Sequence, residues 1–355
     1  MKMQMRNYFN RTLFFILIAT LIIVAYMFSF QRYQISGYSM GTTYHIIYRM
    51  HPIMHKLKNN EIVSQIETQL SLVNNSMSTF EPDSEISRFN SHKSMDAFAI
   101  SAYFANVLAT SSEIYRLSNG AWDGTINPLI ELWGFYSNIN RVPSDKEILI
   151  ARKNVGFNKL VIQEGRILKE NPDIKLDLAS IAKGYGVDMI AKSLRSYKIN
   201  HFVVEVGGEI SVSGYSRFMK NWKVGISYPS KDVSSENIYE VINIFNQSVA
   251  TSGDYRKYFL SKNNKYYSHI IDPRTGYPVN NYVASVTIIA DSCVYADGLA
   301  TAIMVMGVNQ GMDLINKLER VEGIIIYKDE TGKLVNKMSN GFEKYISHRK
   351  SNAVR

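Results

Sequence analysis

Two residues that can bind a divalent cation lie one helical turn apart in the C-terminal part of the sequence. Asp297 and Thr301 occur at the start of an apolar segment that continues to Met306. Residues four positions apart share one face of a helix, so the carboxylate and the hydroxyl can meet at one point. Hard oxygen ligands of this kind suit Mg²⁺, which keeps few protein ligands and binds substrate phosphates. The alternative is a helix cap in which the Thr301 hydroxyl bonds inside the helix.

A second candidate site lies between Leu176 and Gly186. We predict a strand that ends at Asp177 and a helix that begins near Ser180, which places Lys183 in the first helical turn. The free N–H groups and the dipole of a helix N-terminus favour a bound anion. The segment therefore predicts contacts to a nucleotide phosphate or adenine. The alternative is an ordinary Asp or Ser cap followed by a solvated lysine.

A histidine precedes a strong turn signal in the segment from His269 to Pro278. The Asp-Pro-x-x-Gly pattern that begins at Asp272 predicts a turn after a strand. His269 can act as a base or contact a ring, or it can be structural. Asp272 fits a turn residue better than a catalyst.

Three further segments carry little information when each is taken alone. They are an aromatic and acidic loop at Met77–Asn90, the segment Gly120–Thr125, and a predicted hairpin turn at Val206–Glu209. We find no Gly-x-Ser-x-Gly, Walker, His-Glu-x-x-His or Rossmann glycine pattern. Cys293 is the single cysteine, which excludes an internal disulfide and any multi-cysteine metal site.

The elements that must position these residues are helices and strands in mixed order, without regular βα alternation. This order predicts an α+β fold with a largely antiparallel sheet and flanking helices. The predicted helices span residues 61–73, 98–118, about 144–153, 180–195, 295–306 and 309–318. The predicted strands span residues 160–162, 166–169, 174–176, 202–206, 210–212, 222–228, 239–245, 266–271, 284–290 and 324–327.

Composition and charge limit the classes of protein to which the chain can belong. Its 355 residues are 46% hydrophobic and 20% charged, which excludes disordered and fibrous classes. The formal net charge of +9 suits an anionic ligand or a membrane surface. We find no dense stripe of Lys and Arg, so nucleic acid is not an expected partner.

The N-terminal region contains an uncharged, apolar segment at residues 12–31. At about 1.5 Å per helical residue, it spans roughly the 30 Å of a bilayer core. The preceding arm, residues 1–11, carries basic residues and no acidic ones, so the positive-inside rule keeps it in the cytoplasm. We therefore predict a single-pass transmembrane signal anchor with the rest of the chain in the periplasm or another extracytoplasmic space. A cleaved signal peptide and a buried core helix are the alternatives, and the lack of a cysteine after the segment excludes lipoprotein anchoring.

Taken together and in order, these segments resemble those of the FAD:protein FMN transferases, the ApbE-type flavin transferases. The resemblance covers roughly residues 36–345 and leaves residues 346–355 as a basic C-terminal tail. It rests on the segments Ser39–Thr43, Met77–Phe80, Ser87–Asn90, Trp122–Asp123, Asp177–Tyr185, Val206–Gly208, His269–Pro278 and Ala296–Ala302.

The resemblance implies an activity and a set of partners. Members of that family bind FAD with Mg²⁺, transfer the FMN half to a Ser or Thr hydroxyl of a target protein, and release AMP. The acceptor lies in a Ser/Thr-Gly-Ala-Ser/Thr type of motif. The implied targets are subunits of membrane redox pumps, namely the sodium-translocating NADH:quinone oxidoreductase and RNF-type complexes. The predicted anchor would place this chain on the bacterial inner membrane, where those targets expose the motif.

The resemblance also implies roles for individual residues. The metal ligands fall on Asp297, on Thr301 and on Ser180, the last through its main-chain carbonyl. His269 is the candidate for a catalytic base or orienting group. The implied flavin contacts fall on Met40, Phe80, Ala121, Trp122, Asp123, Asp177, Lys183 and Ile271.

The sequence departs from the family pattern at two places. Ala300 stands where some relatives carry a second acidic side chain, and Ala179-Ser180 stands where many have Gly-Gly. Because Ala300 could offer only its backbone, we expect the metal affinity to differ from that of relatives with the second acidic side chain. Two other functions remain open: a Mg²⁺-dependent FAD pyrophosphatase that yields FMN and AMP, and an anchored flavin-binding module without turnover.

Overall fold

The computed structural model describes residues 13–20, 29–135, 141–217, 219–229, 237–254, 258–260 and 266–347. Helices and strands alternate irregularly along this part of the chain. The strands are β1 Gln31–Ser39, β2 Thr42–Met50, β3 Phe98–Ala99, β4 Leu160–Gln163, β5 Arg166–Lys169, β6 Phe202–Val206, β7 Glu209–Ser213, β8 Trp222–Ser227, β9 Ile238–Ile244, β10 Ser248–Gly253, β11 Tyr258–Leu260, β12 Tyr266–Ser268, β13 Ile271–Asp272, β14 Tyr277–Pro278, β15 Val283–Ala290, β16 Glu322–Lys328 and β17 Leu334–Met338. The α-helices are α1 Pro52–Met77, α2 Glu85–Ser91, α3 Ala102–Leu117, α4 Asn127–Trp133, α5 Asp145–Arg152, α6 Ala179–Ser196, α7 Cys293–Met306 and α8 Val308–Lys317. Short 3₁₀ turns follow at Phe157–Lys159 and Phe342–Tyr345.

The main sheet has eight strands in the order β1-β2-β6-β7-β10-β15-β16-β17. Each neighbouring pair in it is antiparallel. This arrangement confirms the predicted α+β fold with an antiparallel sheet and helices.

Both faces of the main sheet are covered, and this explains the sequence of its central strand. All eight residues of β15 are buried. Val286 and Ile288 lie in the cluster formed with α3, α6 and α7, whereas Ile289 lies in a cluster with the β8–β9 hairpin. Successive side chains of a strand point to opposite faces, so a strand covered on both sides is apolar throughout.

Helices α6 and α7 cross closely on one face of the sheet. A Cβ atom at Gly184 would lie 2.7 Å from the carbonyl carbon of Cys293 and 2.8 Å from Cβ of Asp297. A Cβ atom at Gly298 would meet Cδ1 of Ile114 and would lie 3.1 Å from Cδ1 of Ile181. The two glycines thus bring the N-terminal halves of α6 and α7 together.

Several predicted boundaries were wrong, and each has a local cause. The helix predicted at residues 98–118 begins at Ala102, because the Ser101 hydroxyl accepts the N–H of Phe104 as a cap. Residues 98–99 instead form β3. The helix predicted at residues 61–73 is only the middle of α1, which extends from Pro52 to Met77. The apolar periodicity did not reveal the N-terminal turns, because the buried residues of α1 start only at Ile62.

Two predicted strands differ in the structure. Residues 174–176 form no strand, because the Asn90 side chain binds both the N–H and the carbonyl oxygen of Leu176 at 2.7 and 2.8 Å, in place of a neighbouring strand. Asp177 therefore follows an extended segment and not a strand. The strand predicted at residues 266–271 is divided into β12 and β13. Between them the N–H of Ile270 donates to the Ser268 hydroxyl instead of to a neighbouring strand.

The predicted N-terminal anchor, residues 12–31, falls partly outside the described residues. Residues 1–12 and 21–28 lie outside them, and so do residues 348–355 of the tail. Residues 13–20 are helical, and residue 31 opens β1. Among the residues that the structure describes, no helix combines the length and the apolar composition needed to span a bilayer.

Candidate functional site

The crossing of α6 and α7 places Asp297 against the backbone of α6. Its carboxylate is 3% exposed, and Oδ2 accepts the N–H of Gly184 at 2.9 Å. Within the described part of the chain, Oδ1 accepts no hydrogen bond. Half of a buried carboxylate is therefore left for a ligand.

Lys183 lies beside this carboxylate and also contacts a second acid. Its Nζ is 2.9 Å from Oε1 of Glu209 and 3.8 Å from Oδ2 of Asp297. Glu209 is the first residue of β7 and is 3% exposed. One cation and two buried carboxylates thus meet where α6, α7 and the sheet converge.

Burial governs the protonation of these three groups. It raises the pKa of Glu209 and that of Asp297, while the Lys183 ammonium opposes both shifts and favours the charged carboxylates. Burial also acts against the charged form of Lys183, but Asp297 and Glu209 outweigh it and hold its pKa above the ordinary value. Lys183 is therefore a permanent cation in this site.

Thr301 presents its hydroxyl one turn after Asp297, as the spacing predicts. Its Oγ1 lies 3.0 Å from Oγ of Ser252, which belongs to β10. The Thr301 hydroxyl is therefore held by a side chain from the sheet, and the predicted alternative of a bond inside the helix is not what the structure shows. This contact orients the hydroxyl relative to the helix face that carries Asp297.

The start of α6 is tied to the loop that carries Trp122. The Trp122 Nε1–H donates to the Ser180 hydroxyl at 3.0 Å, and the N–H of Asp177 donates to the carbonyl of Gly124 at 2.7 Å. Oδ1 of Asp177 accepts the N–H of Ala179 at 2.9 Å. The alternative of an ordinary Asp or Ser N-cap is not what the structure shows, because Leu178 occupies the N-cap position and makes no side-chain cap bond. Asp177 lies one residue earlier and binds the first N–H of the helix.

Asp123, predicted to contact the flavin, points its side chain into the protein. One carboxylate oxygen accepts the N–H and hydroxyl of Thr125 at 2.8 and 2.6 Å, and the other accepts the N–H of Phe157 at 3.1 Å. Burial raises its pKa, and these hydrogen bonds oppose that shift. The two preceding residues, Ala121 and Trp122, are also buried. In this structure the Asp123 carboxylate shapes the loop that carries Trp122.

The remaining predicted flavin contacts are distributed around the same helices. Met40, at a positive φ of 53°, packs against α6, where a Cβ at Gly186 would lie 2.8 Å from its sulfur. Phe80 lies in the turn between α1 and α2 and is 73% exposed. Ile271 is buried in a cluster with Trp133. His269 is half-buried between β12 and β13.

The donor set suits a cation that takes part of its coordination from a substrate. In the described part of the chain, no three His, Cys, Asp or Glu side chains come together to enclose a metal ion. Asp297, Thr301 and the Ser180 carbonyl are the oxygen atoms that would hold such a cation, and Mg²⁺ typically uses one or two carboxylates together with substrate phosphates. The residues present therefore fit Mg²⁺ held against a diphosphate.

Two residues of this site were missed in the sequence. In the sequence, Glu209 was assigned only to a hairpin turn. The one local sign of a functional role was its acidic side chain at the start of a strand of small and apolar residues, Glu209–Ser213. Ser252 offered no local signal, because its partner Thr301 is 49 positions away. Only the folded sheet brings β10 to α7.

Comparison with known proteins identifies the family. The sequence model of the ApbE family matches residues 40–325. The chain belongs to the ApbE family.

Named relatives match this ApbE-family chain over most of its length. It is 40% identical over 319 residues to an FAD:protein FMN transferase of Vibrio cholerae, covering 89% of this chain and 93% of that protein. It is 35% identical to the FAD:protein FMN transferase of Haemophilus influenzae, covering 88% of this chain and 90% of that protein. The solved structure of the flavin transferase ApbE from Vibrio cholerae superposes with a TM-score of 0.79 at 38% identity, over 89% of this chain and 99% of that one.

Proposed function

We propose that this chain transfers the FMN half of FAD to a Ser or Thr hydroxyl of a target protein, with Mg²⁺ bound by Asp297, Thr301 and the Ser180 carbonyl. The chain is an FAD:protein FMN transferase, as its relatives in Vibrio cholerae and Haemophilus influenzae are named. The observation that carries the proposal is the buried Asp297 carboxylate, which shares one face of α7 with Thr301 and lies beside Lys183.

The chemistry requires a diphosphate to be held while an oxygen atom attacks one phosphorus. The target hydroxyl attacks the phosphorus on the FMN side, the bond from that phosphorus to the bridging oxygen breaks, and AMP leaves with that oxygen. Bound Mg²⁺ supplies charge neutralisation and polarises the phosphorus. Positioning and electrostatic stabilisation carry most of the catalysis in phosphoryl transfer.

The residues of the chain divide the remaining tasks. Lys183 adds a fixed positive charge beside the diphosphate, and the N-terminus of α6 adds backbone N–H groups and its dipole. Met40 and Phe80 supply apolar and aromatic surface for the flavin, and the buried Trp122 holds the Ser180 side chain. His269 is the candidate to accept the proton of the attacking hydroxyl, and activation of that hydroxyl by the metal would make it dispensable.

The proposal is tested with the full chain in detergent, FAD, Mg²⁺ and a small protein that carries a Ser/Thr-Gly-Ala-Ser/Thr motif. We expect the intact mass of the acceptor to rise by one FMN residue, with equimolar AMP. Added EDTA, or an acceptor with Ala at the attacked position, should abolish the gain. Release of FMN and AMP with no change in acceptor mass would instead indicate a pyrophosphatase. If neither FMN transfer nor release of FMN and AMP occurs, the chain is a flavin-binding module without turnover.

The same proposal includes attachment to the bacterial inner membrane with the catalytic domain on the periplasmic side. The uncharged segment at residues 12–31 supports it. The surface next to that segment also supports it: Ile53, Met54 and Leu57, at the start of α1, are 65%, 44% and 70% exposed. The ring of His51, which caps α1, contacts the ring of Phe30 with centroids 6.4 Å apart.

The target proteins are proposed on the family resemblance. Subunits of the sodium-translocating NADH:quinone oxidoreductase or of RNF-type complexes would expose an acceptor motif on the same side of the membrane. Loss of covalent flavin from such a subunit in cells lacking this chain, and its return with the wild-type chain, is the expected result. Unchanged flavin would exclude that subunit as a target.

A further inference from the structure

We propose that Glu209 is a positioning residue that holds the Lys183 ammonium away from Asp297, so that the Asp297 carboxylate stays available to a cation. The inference rests on the proposed function, because it concerns the same metal site. It assigns a role to a residue that lies in the sheet and supplies no ligand.

The distances show which acid Lys183 prefers. Its Nζ is 2.9 Å from Oε1 of Glu209, which is the length of a direct charge-assisted hydrogen bond, and 3.8 Å from Oδ2 of Asp297. The same Oδ2 atom accepts the N–H of Gly184. Asp297 is thus supported by its backbone partner, while Lys183 is drawn toward the sheet.

The second oxygen of Glu209 forms no contact that would explain the residue. Oε2 is buried and has no hydrogen-bond partner among the described residues. Oε2 of Glu205 on the adjacent strand is also buried and unpartnered, but Oε1 of Glu205 accepts the backbone N–H of Gly208. Glu209 therefore differs from Glu205 in that its Oε1 is bound to the Lys183 ammonium.

The competing arrangement is within reach of the lysine. Lys183 and Asp297 project from crossing helices, and a shift of about 1 Å in Nζ would convert their 3.8 Å contact into a direct ion pair. A cation would then have to displace the ammonium from the carboxylate before it could bind. Removing the charge of Glu209 removes the force that prevents this shift.

The test measures Mg²⁺ binding to the full chain in detergent by isothermal titration calorimetry, in the absence of FAD. Glu209→Gln keeps the side-chain shape and removes the charge. We expect it to weaken Mg²⁺ binding by about 10-fold, the scale of residues that orient metal ligands. Lys183→Met combined with Glu209→Gln should restore binding to within about threefold of wild type, because no cation then competes for Asp297.

The control is Glu205→Gln on the adjacent strand β6. Glu205 accepts the N–H of Gly208 at 2.6 Å through Oε1, which Gln can also do. This variant removes one negative charge from the same hairpin without touching Lys183. We expect its Mg²⁺ affinity to equal that of wild type. Near-ultraviolet circular dichroism of each variant establishes that it is folded.

Other results of these titrations would contradict either the role of Glu209 or the metal site itself. Wild-type affinity in Glu209→Gln would overturn the proposal. Equal weakening in the single and double variants would show that Glu209 acts through its own charge and not through Lys183, which also overturns it. If the wild-type chain binds Mg²⁺ only when FAD is bound, the same comparison of variants is made on the FAD complex. If it binds no Mg²⁺ in either state, the metal site of the proposed function is wrong, and the positioning role falls with it.

Discussion

Asp297 has a carboxylate with three properties that bear on metal binding. It is buried, its Oδ2 accepts a backbone N–H, and a lysine lies within 4 Å of that same oxygen. Burial of a charged group is unfavourable unless partners stabilise it. The Gly184 N–H and Lys183 provide that stabilisation on the Oδ2 side. The geometry therefore leaves Oδ1 for a cation.

The first prediction concerns Asp297 itself. Residues that only orient metal ligands typically contribute about 10–100-fold, so Asp297→Ala should lower Mg²⁺-dependent FMN transfer by more than about 100-fold. The matched control is Asp291→Ala, which removes an exposed carboxylate bonded to Arg320 just before α7. The measurement is the rate of FMN mass gain on the acceptor. Full activity of Asp297→Ala would contradict the ligand assignment.

The second prediction concerns the hydroxyl pair of Ser252 and Thr301. Because Ser252 holds the Thr301 hydroxyl at 3.0 Å, Ser252→Ala should weaken Mg²⁺ binding by about 10-fold while the fold is retained. Thr251→Val is the control, since Thr251 bonds Thr287 across the sheet and points to the opposite face. Calorimetric titration with Mg²⁺ compares the two. Equal affinities for both variants would remove Ser252 from the site.

At the scale of elements, the close crossing of α6 and α7 sets the geometry of the site. The third prediction is that Gly184→Ala lowers the free energy of unfolding by about 1–3 kcal/mol, because its Cβ would overlap the backbone of Cys293 and Cβ of Asp297. Gly225→Ala on β8 is the control, as its Cβ would meet only ordinary contacts at 3.4 Å and beyond. Urea denaturation measures both, and equal stabilities would argue against the close crossing.

The N-terminus of α7 is capped by a side chain from α6. Ser292 makes no side-chain cap bond there, and the two Asp188 oxygens accept the N–H groups of Cys293 and Val294, each at 2.9 Å. The fourth prediction is that Asp188→Asn lowers the free energy of unfolding by about 1–3 kcal/mol, because Asn can accept only one of these bonds. Asp313→Asn, at an exposed position on α8, is the control and should leave stability unchanged.

The difference in stability between wild type and Asp188→Asn depends on pH. Burial raises the pKa of Asp188 from 3.8 to about 6, against the opposing effect of the two N–H groups. Between these values the folded chain binds a proton that the unfolded chain has released, so the contribution of Asp188 to stability falls as pH rises. Asp188→Asn lacks this slope, and its deficit relative to wild type should narrow from pH 4 to pH 7. A constant deficit across that range would contradict the raised pKa.

At the scale of the whole molecule, the covered sheet places the site on one side and the start of α1 near the predicted anchor. The fifth prediction is that the first turns of α1 contact the lipid bilayer when the full chain is in vesicles. Leu57→Cys, labelled with a fluorophore, should be quenched by brominated lipids, whereas labelled Leu149→Cys on α5 should not. Cys293 is buried and should not react. Equal quenching at both positions, or none, would contradict a membrane-facing α1.

The order of helices and strands was largely predictable, since apolar periodicity and caps are local. The boundaries of α5 and α6 differ from their predictions by one residue at each end, and the capping box of Ser144 and Glu147 is visible in the sequence. The short helices α2 and α4 were missed, and so were strands β1, β2, β3, β10, β11, β14 and β17. The pairing energy of these strands comes from neighbouring strands and shared core residues, which short windows of sequence do not contain.

The α+β class, the family and the spacing that places Asp297 and Thr301 on one helix face can be read from the sequence. The contact of Glu209 with Lys183, the bond from Ser252 to Thr301 and the capping of α7 by Asp188 are visible only in the folded chain. The physical reason is the distance along the sequence over which each kind of interaction acts. Helical spacing and turn chemistry act between residues a few positions apart, whereas these three contacts join elements that meet only after the sheet has formed and α6 and α7 have crossed on it.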